Sequence, residues 1–529
     1  MTFTAESGLC AAVRCRIGVP FFALMSAMAA LTTIGCGSSH AEDAIDSGTA
    51  SDSGIADSRD QEGGDTNPPT DATPVVWAKC MATGGCAKFE LPLNYASAAG
   101  ETVTVKVDRY KASGTSKGQV FLVQGGPAVS GRATLDWWAI ELSRDAGFEV
   151  FVVDQRGIEG TNAFPDCADL RGVAFPDDAV IAKAGAACVA KFDAAKAKHF
   201  SAANQGRDLG EIIGRVRDAT VPAYVYAASY GTRVALRYLQ QFPTQVDGVV
   251  LDSSLSESTD YTVAAEANAD DQHRWLLGRC GADPFCSSKL GSDPVKKLAD
   301  VLAKTDGGWC PTSASIRPIE YRNMIAGTYT LGVEYRELVA ALLYRVDRCN
   351  AEDQKAIAKL YGQFGSPPPP TFNVALHLQI VTSEAIPNPP PSVAVVTAAT
   401  RASLLGTDNS LGYRRLWDVW PRYPADAYMG KYPSTSIPIL MMHGTHDAQA
   451  SYSDALKVAA AIAAPNHRLI TARDGTHGLI GTWCGRSIIR VFLADPKATI
   501  DTACADMPAV LDFEKVSGDI FGTPDAWGG

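Results

Sequence analysis

The feature that most restricts how this chain can fold is a set of six short apolar runs, each ending in turn residues. They lie at 120–123, 150–153, 224–227, 249–251, 437–442 and 468–471. Runs without polar alternation suit strands buried on both faces. The helical stretches between them suit crossovers, so the pattern predicts an α/β architecture with a mostly parallel central sheet covered on both sides. Ahead of it, the alternating segments 87–95 and 101–112 flank Ala-Ser-Ala-Ala-Gly and predict an antiparallel hairpin. Between Leu255 and about residue 425 the alternation gives way to helical patterning, at 335–346 and 354–364, broken by proline clusters at 367–370 and 387–391. This stretch reads as a helical cap (255–425) inserted between two parts of one core, 76–254 and 426–529.

Charge and cysteines describe the setting. The 529-residue chain has a formal net charge of −11. Nine Asp/Glu against the single Arg59 between residues 37 and 74 account for −8 of it. With a net negative charge no nucleic-acid partner is expected, and the nearly neutral remainder says little about the substrate. Residues 37–75 have too little apolar surface to offset ordering entropy and read as a flexible acidic linker. Residues 1–36 read as an export signal: Arg14 and Arg16, an apolar run at 17–34, then Thr-Ile-Gly-Cys36. That ending is lipobox-like, with Cys36 as the lipidation site and the lipid anchor as the expected membrane contact. If the lipobox is not used, the mature chain is secreted. Of 13 Cys, ten fall after the linker, as the neighbours Cys80 and Cys86, Cys167 and Cys188, Cys280 and Cys286, Cys310 and Cys349, and Cys484 and Cys504. In an oxidising compartment these read as five disulfides. No CxxC pair or ligand-spaced His accompanies them, so no metal site is expected.

The strongest chemical signal is Tyr224-Val-Tyr-Ala-Ala-Ser229-Tyr-Gly-Thr-Arg, an apolar strand running straight into Ser229 and then into a helix stopped by Pro243. A sharp strand-turn-helix with small neighbours is what a serine nucleophile needs to stand clear of the sheet. Such a serine requires a base, and the base an orienting acid, in the chain order Ser, acid, His. Asp447 follows the run ending Met-Met-His-Gly-Thr-His, and His477 follows Ala-Arg-Asp-Gly-Thr. Each stands just past the carboxyl end of an expected strand, where open α/β sheets place their sites. Asp252 is the alternative acid, His443 and His446 the rival bases, and Asp474 reads as a solvated turn residue. The backbone N–H groups of Gly126, in Gln124-Gly-Gly-Pro-Ala, and of Tyr230, after the serine, are the expected oxyanion donors.

Together, Gln124-Gly-Gly-Pro-Ala, Asp154-Gln-Arg-Gly157, Ala227-Ala-Ser-Tyr-Gly-Thr and the Asp447/His477 pair resemble the proline iminopeptidase and tripeptidyl aminopeptidase family of α/β-hydrolases. The resemblance spans about residues 76–510 and implies an α/β-hydrolase fold with a helical cap. It also implies a serine aminopeptidase that releases N-terminal residues from peptides without metal or organic cofactor. Ala128 and Ala227 stand where the family has glycine, and Asp154-Gln-Arg-Gly continues as Ile-Glu-Gly-Thr-Asn. These departures bear on substrate choice more than on hydrolysis. Asp154 and Arg156 read as an ion pair fixing their loop. An aminopeptidase needs a cap carboxylate for the substrate ammonium, and Glu257, Glu266, Glu334, Glu337 and Glu384 are the candidates. A carboxylesterase acting on small acyl substrates is the alternative from the same residues, and a non-catalytic surface lipoprotein a further one. The residues that bind substrate and the oligomeric state are left open.

Overall fold

A computed structural model describes residues 75–528, apart from 82–83, 98, 168–169, 171–177, 331–334, 365–371 and 408. The signal segment, Cys36, most of the linker, Glu334 and the 367–370 proline cluster lie outside the described residues. β1 (Gly84–Pro92) turns Ala87, Phe89 and Leu91 inward and leaves Lys88 and Glu90 exposed, the half-buried alternation of an edge hairpin. It pairs antiparallel with β2 (Thr102–Tyr110). The apolar runs become β3 (Gln119–Val123), β4 (Glu149–Val153), β5 (Ala223–Ala228), β6 (Gly248–Asp252), β7 (Ile439–Gly444) and β8 (His467–Ala472). β3, β5, β6 and β7 are buried along their whole length.

The eight strands form one sheet in the order β1-β2-β4-β3-β5-β6-β7-β8. From β4 to β8 every pairing is parallel. After β3 the chain goes to one side to make β4, then crosses to the other side of β3 to make β5. The carboxyl end of β3 is therefore the switch point of the sheet, where the covering helices diverge and leave a crevice. On one face, the helix Ala202–Val216 packs against the helix Tyr230–Gln241 through glycines. A Cβ on Gly206 would stand 2.6 Å from the backbone N of Tyr238.

Between β6 and β7 the described residues form nine helices and no named strand. They divide in two. The helices from Val263–Ala282 to Ala351–Phe364 build a separate apolar core around Leu277, Leu298, Ile325, Leu342 and Ile357. The later helices Val374–Glu384 and Asn409–Val419 instead contribute Leu376, Leu378, Ile380 and Leu416 to the main core beside the sheet. The C-terminal tail also changes sides. Phe513, Phe521, Ala526 and Trp527 pack in the helical lobe, so the stretch 426–529 does not lie wholly against the sheet. No helix of the described residues is long and apolar enough to cross a membrane.

All ten cysteines after the linker are joined in the expected pairs. The spacing named the partners but not their places, and four of the five bridges tie a helix to its surroundings. Cys188, on the helix Asp178–Val189, is bonded to Cys167 in the loop before it, and both are fully buried in the main core. Cys286, on the short helix Pro284–Leu290, is bonded to Cys280 near the end of the helix Val263–Ala282. Cys504, on the helix Ala503–Asp506, is bonded to Cys484 at the start of the helix Trp483–Ala494, beside β8. Cys310 is bonded to Cys349, which caps the helix Leu338–Arg348, and Cys80 to Cys86 on β1. The Cα atoms of each pair are 5.2–5.9 Å apart, the reach of a disulfide.

Candidate active site

Ser229 directly follows β5 and precedes the helix Tyr230–Gln241 with φ 55° and ψ −129°. This is a conformation that non-glycine residues rarely adopt and that persists only when the surroundings over-determine it. The surroundings do so here. Ser229 N donates to Asp252 O at 2.9 Å, and Ser229 O accepts from Thr232 N and Oγ1 at 2.9 and 2.6 Å. A Cβ on Gly231 would lie 2.5 Å from Val123 O, so only glycine fits there, whereas Ala227 is accommodated within the sheet. Gly125 sits directly against the serine, its imaginary Cβ 2.6 Å from that of Ser229.

The loops after β7 and β8 are locked together by a glycine pair. A Cβ on Gly444 would overlap the backbone of Gly475. His446 N donates to Gly475 O, and Thr445 N to Ala472 O, at 2.9 and 3.0 Å. This approach brings Asp447 to His477, with Oδ2 accepting from Nδ1–H at 2.7 Å. Asp447 Oδ1 accepts from the N–H groups of Gln449 and Ala450, both at 2.8 Å. With Nδ1 donating, His477 keeps its lone pair on Nε2, the arrangement of a general base. Burial opposes charge on both groups, but their mutual attraction and hydrogen bond prevail: Asp447 is held below the usual carboxylate range and His477 above the usual histidine value.

Asp252 has a different task. Its two oxygens accept from Leu479 N and Ile480 N at 2.9 Å each, and Oδ2 also accepts from the Tyr226 hydroxyl. It thereby fixes the chain just beyond His477 rather than the imidazole itself. His443 is fully buried and receives Ser254 N–H at Nδ1 while Nε2–H donates to Ala450 O at 3.0 Å. Burial keeps it neutral. His446 stacks on Trp275, with ring centroids 3.8 Å apart, and bonds Gln272.

Two sequence readings are corrected. Asp154 and Arg156 do not pair with each other. Asp154 Oδ1 accepts from Gly131 N at the start of the helix Gly131–Glu141. Arg156 makes a bidentate pair with Asp208 at 2.6 and 2.7 Å and donates to the carbonyls of Pro92, Leu93 and His199. A fully buried guanidinium needs this many acceptors, and loop neighbours alone could not supply them. Asp474 has φ 56° but is buried, accepting from Ala509 N and lying 3.5 Å from Arg279. The tail that covers it comes from far along the chain.

The sequence reading passed over Gln155, which lies between Asp154 and Arg156. Its Oε1 accepts from Ala128 N at 2.7 Å, and its Nε2 donates to Gln124 O and Gly125 O at 2.8 Å each. It zips the Gly-Gly-Pro loop, where Gly126 and Ala128 have φ of 112° and 71°. An uncharged residue inside a charged motif was the only signal for it.

A cavity of about 160 Å³ opens over Ser229 and Gly126. Its wall includes Glu266 and His273 from the helix Val263–Ala282, and His377 and Tyr413 from the later helices. Among the described residues lining it, Glu266 is the one carboxylate. The other described cap candidates do not line it. Glu257 pairs with Arg237 and Gly430 N, and Glu384 accepts from Ala202 N and the Tyr423 hydroxyl. Glu337 precedes the helix Leu338–Arg348.

The family model for the alpha/beta hydrolase fold matches residues 119–282, and the model for TAP-like protein matches residues 408–504. The chain is similar to Serine protease Hip1 of Mycobacterium tuberculosis and Mycobacterium bovis, 26% identical over 294 residues. That match covers 48% of this chain and 56% of the relative. The Putative hydrolase YuaR of Escherichia coli is 23% identical over 180 residues, covering 32% of this chain and 35% of the relative. The chain thus spans about half the length, or less, of these curated relatives. Among solved structures, a thermostable carboxyl esterase from Bacillus coagulans matches 78% of this chain and 97% of its own, at 12% identity and a TM-score of 0.34.

Proposed function

We propose that this chain, with its α/β-hydrolase fold, is an exported serine hydrolase, and that it is an aminopeptidase cleaving peptides from their amino end through an acyl-enzyme on Ser229. In this mechanism His477 Nε2 takes the Ser229 proton as Oγ attacks the scissile carbonyl carbon. The N–H groups of Gly126 and Tyr230 receive the developing oxyanion. His477 then protonates the leaving amine, the C–N bond breaks, and the acyl group stays on Ser229. Water, deprotonated by the same imidazole, releases it, while Asp447 stabilises the imidazolium in both steps.

The observation that carries the amino-end reading is Glu266, a buried carboxylate in the wall of the cavity that also holds Ser229. A substrate ammonium beside it gains a charge-assisted hydrogen bond of ~1.5–3 kcal/mol, which acetylation of the amine removes. The likeness to a protein named as a serine protease supports peptides over esters. Five disulfides support an extracytoplasmic setting.

Ser229→Ala should lower turnover by ~10⁴ to 10⁶ and abolish labelling by a phosphonofluoridate. On short peptides, kcat/KM should fall at least ~10-fold when the amine is acetylated, and Glu266→Gln should erase that preference. Equal rates on free and blocked amines, with fast cleavage of simple acyl esters, would turn the assignment to a carboxylesterase.

A further inference from the structure

The Gly-Gly-Pro loop is gripped by two segments, and one of them belongs to the insertion. Gln155, just after β4, holds it as described above. The other grip comes from residues of the returning half of the insertion. Asn373 N donates to Ala128 O at 3.0 Å, and Phe372 forms a backbone bridge with Val129. One turn into the helix Val374–Glu384, His377 Nδ1 lies 3.2 Å from Pro127 O, and its Nε2 lies 2.9 Å from the Tyr413 hydroxyl. A carbonyl can only accept, so Nδ1 carries the proton. Burial pushes His377 down to about 4, so the ring is neutral at ordinary pH and Nε2 accepts from Tyr413 O–H. The result is a directed chain: Tyr413 O–H to His377 Nε2, His377 Nδ1–H to Pro127 O.

We propose that His377, oriented by Tyr413, is a positioning residue for the hydrolysis: it sets the loop that presents Gly126 N–H to the oxyanion, so the insertion completes the oxyanion hole. Two further observations favour this role over simple packing. The loop it grips holds Ala128 at a φ of 71°, a conformation that a non-glycine residue keeps only where neighbours over-determine it. His377 and Tyr413 also line the same cavity as Ser229 and Gly126. A substrate filling that cavity meets the relay that holds the loop, so occupancy and oxyanion geometry are coupled.

The proposal rests on Ser229 as nucleophile, but not on a peptide substrate, so 4-nitrophenyl butyrate serves as the assay. His377→Leu should lower kcat roughly 10- to 100-fold, somewhat less than loss of an oxyanion donor itself, with KM within about threefold. His377→Asn, whose amide N–H can occupy the Nδ1 position, should recover most of that loss. Tyr413→Phe, which removes one oxygen and keeps the ring, should give a smaller loss in the same direction. Binding of a trifluoromethyl ketone, whose hemiketal oxyanion occupies the hole, should weaken in parallel with kcat/KM across the series. A loss carried by KM, an Asn variant no better than Leu, or unchanged affinity for the ketone would each overturn the proposal. Ester activity persisting in Ser229→Ala would instead remove the nucleophile assignment on which it rests.

Discussion

At the scale of single residues, the site distinguishes two buried carboxylates by what fills their lone pairs. Asp447 spends one oxygen on backbone N–H groups and offers the other to His477, whereas Asp252 gives both oxygens to backbone N–H groups, one of them shared with the Tyr226 hydroxyl. The pH dependence follows from the imidazole. A base must be neutral to act, and Asp447, with a smaller contribution from Asp252, raises His477 above 6.5. Activity in the free enzyme should therefore fall as pH drops through a midpoint above 6.5, and be fully present above it. Asp447→Asn removes the charge that raises the imidazole, so the acid limb should move to lower pH while the plateau rate falls by ~10⁴ through the wrong tautomer. A pH profile of kcat/KM for both enzymes checks this. A limb that does not move, or a larger loss in Asp252→Asn, would reassign the orienting acid.

At the scale of elements, the nucleophile's helix is held close to its neighbour by the absence of side chains. Along the helix Ala202–Val216, Gly206 and Gly210 face the helix Tyr230–Gln241 and its C-cap Phe242, and a Cβ on Gly210 would overlap the Phe242 ring. Gly214, one turn further, is exposed and would meet only the Gln245 amide at 3.6 Å. The two glycines should respond oppositely. Gly210→Ala should destabilise by about 1–3 kcal/mol through overpacking. Gly214→Ala should stabilise by about 0.5–1 kcal/mol, since alanine loses less backbone entropy in a helix. Denaturant midpoints of the two variants measure this, and a shift of the same sign in both would contradict the packing described. The arginines of the nucleophile helix extend the hold to the insertion. Arg233 donates to Ser256 O and Glu384 O, and Arg237 pairs with Glu257.

At the scale of the whole molecule, the helical lobe depends on the far end of the chain. Arg345, fully buried, pairs with Asp353 and donates to Asp525 O and Ala526 O, and Trp527 packs against Phe285 and Tyr344. The indole N–H donates to Phe513 O. The tail is thus a strap closing the lobe, beside the Cys310–Cys349 bridge. That bridge joins residues 39 apart, and in the chain-entropy account it contributes about 4 kcal/mol. Trp527→Ala should cost about 3–5 kcal/mol, because it empties a buried indole site and leaves a carbonyl unpaired. Calorimetric or denaturant unfolding checks it. An unchanged midpoint would mean that the tail does not brace the lobe.

The sequence by itself determined what is periodic or local. Unbroken apolar runs specify β3, β5, β6 and β7, buried on both faces, whereas the run at 468–471 forms the edge strand β8 and is only half-buried. β1 shows its period of two, and the turn around Ser229 is written in small residues on either side. Cysteine order named the partners of Cys188, Cys286 and Cys504, because each bridge closes between neighbours in the chain. Chain order also pointed to Asp447 and His477. Only the tertiary structure decided which distant partners meet. Asp252 and Asp447 both follow buried strands, and nothing local separates them until the Gly444–Gly475 contact brings one to the imidazole. Arg156 finds Asp208 across 52 residues, and His377 finds Pro127 across 250. Glu266 is distinguished from its rivals only by the cavity it faces. Burial periodicity is a property of each segment's own face. Pairing depends on how faces dock, and a charged or polar side chain carries no mark of the neighbour that will satisfy it.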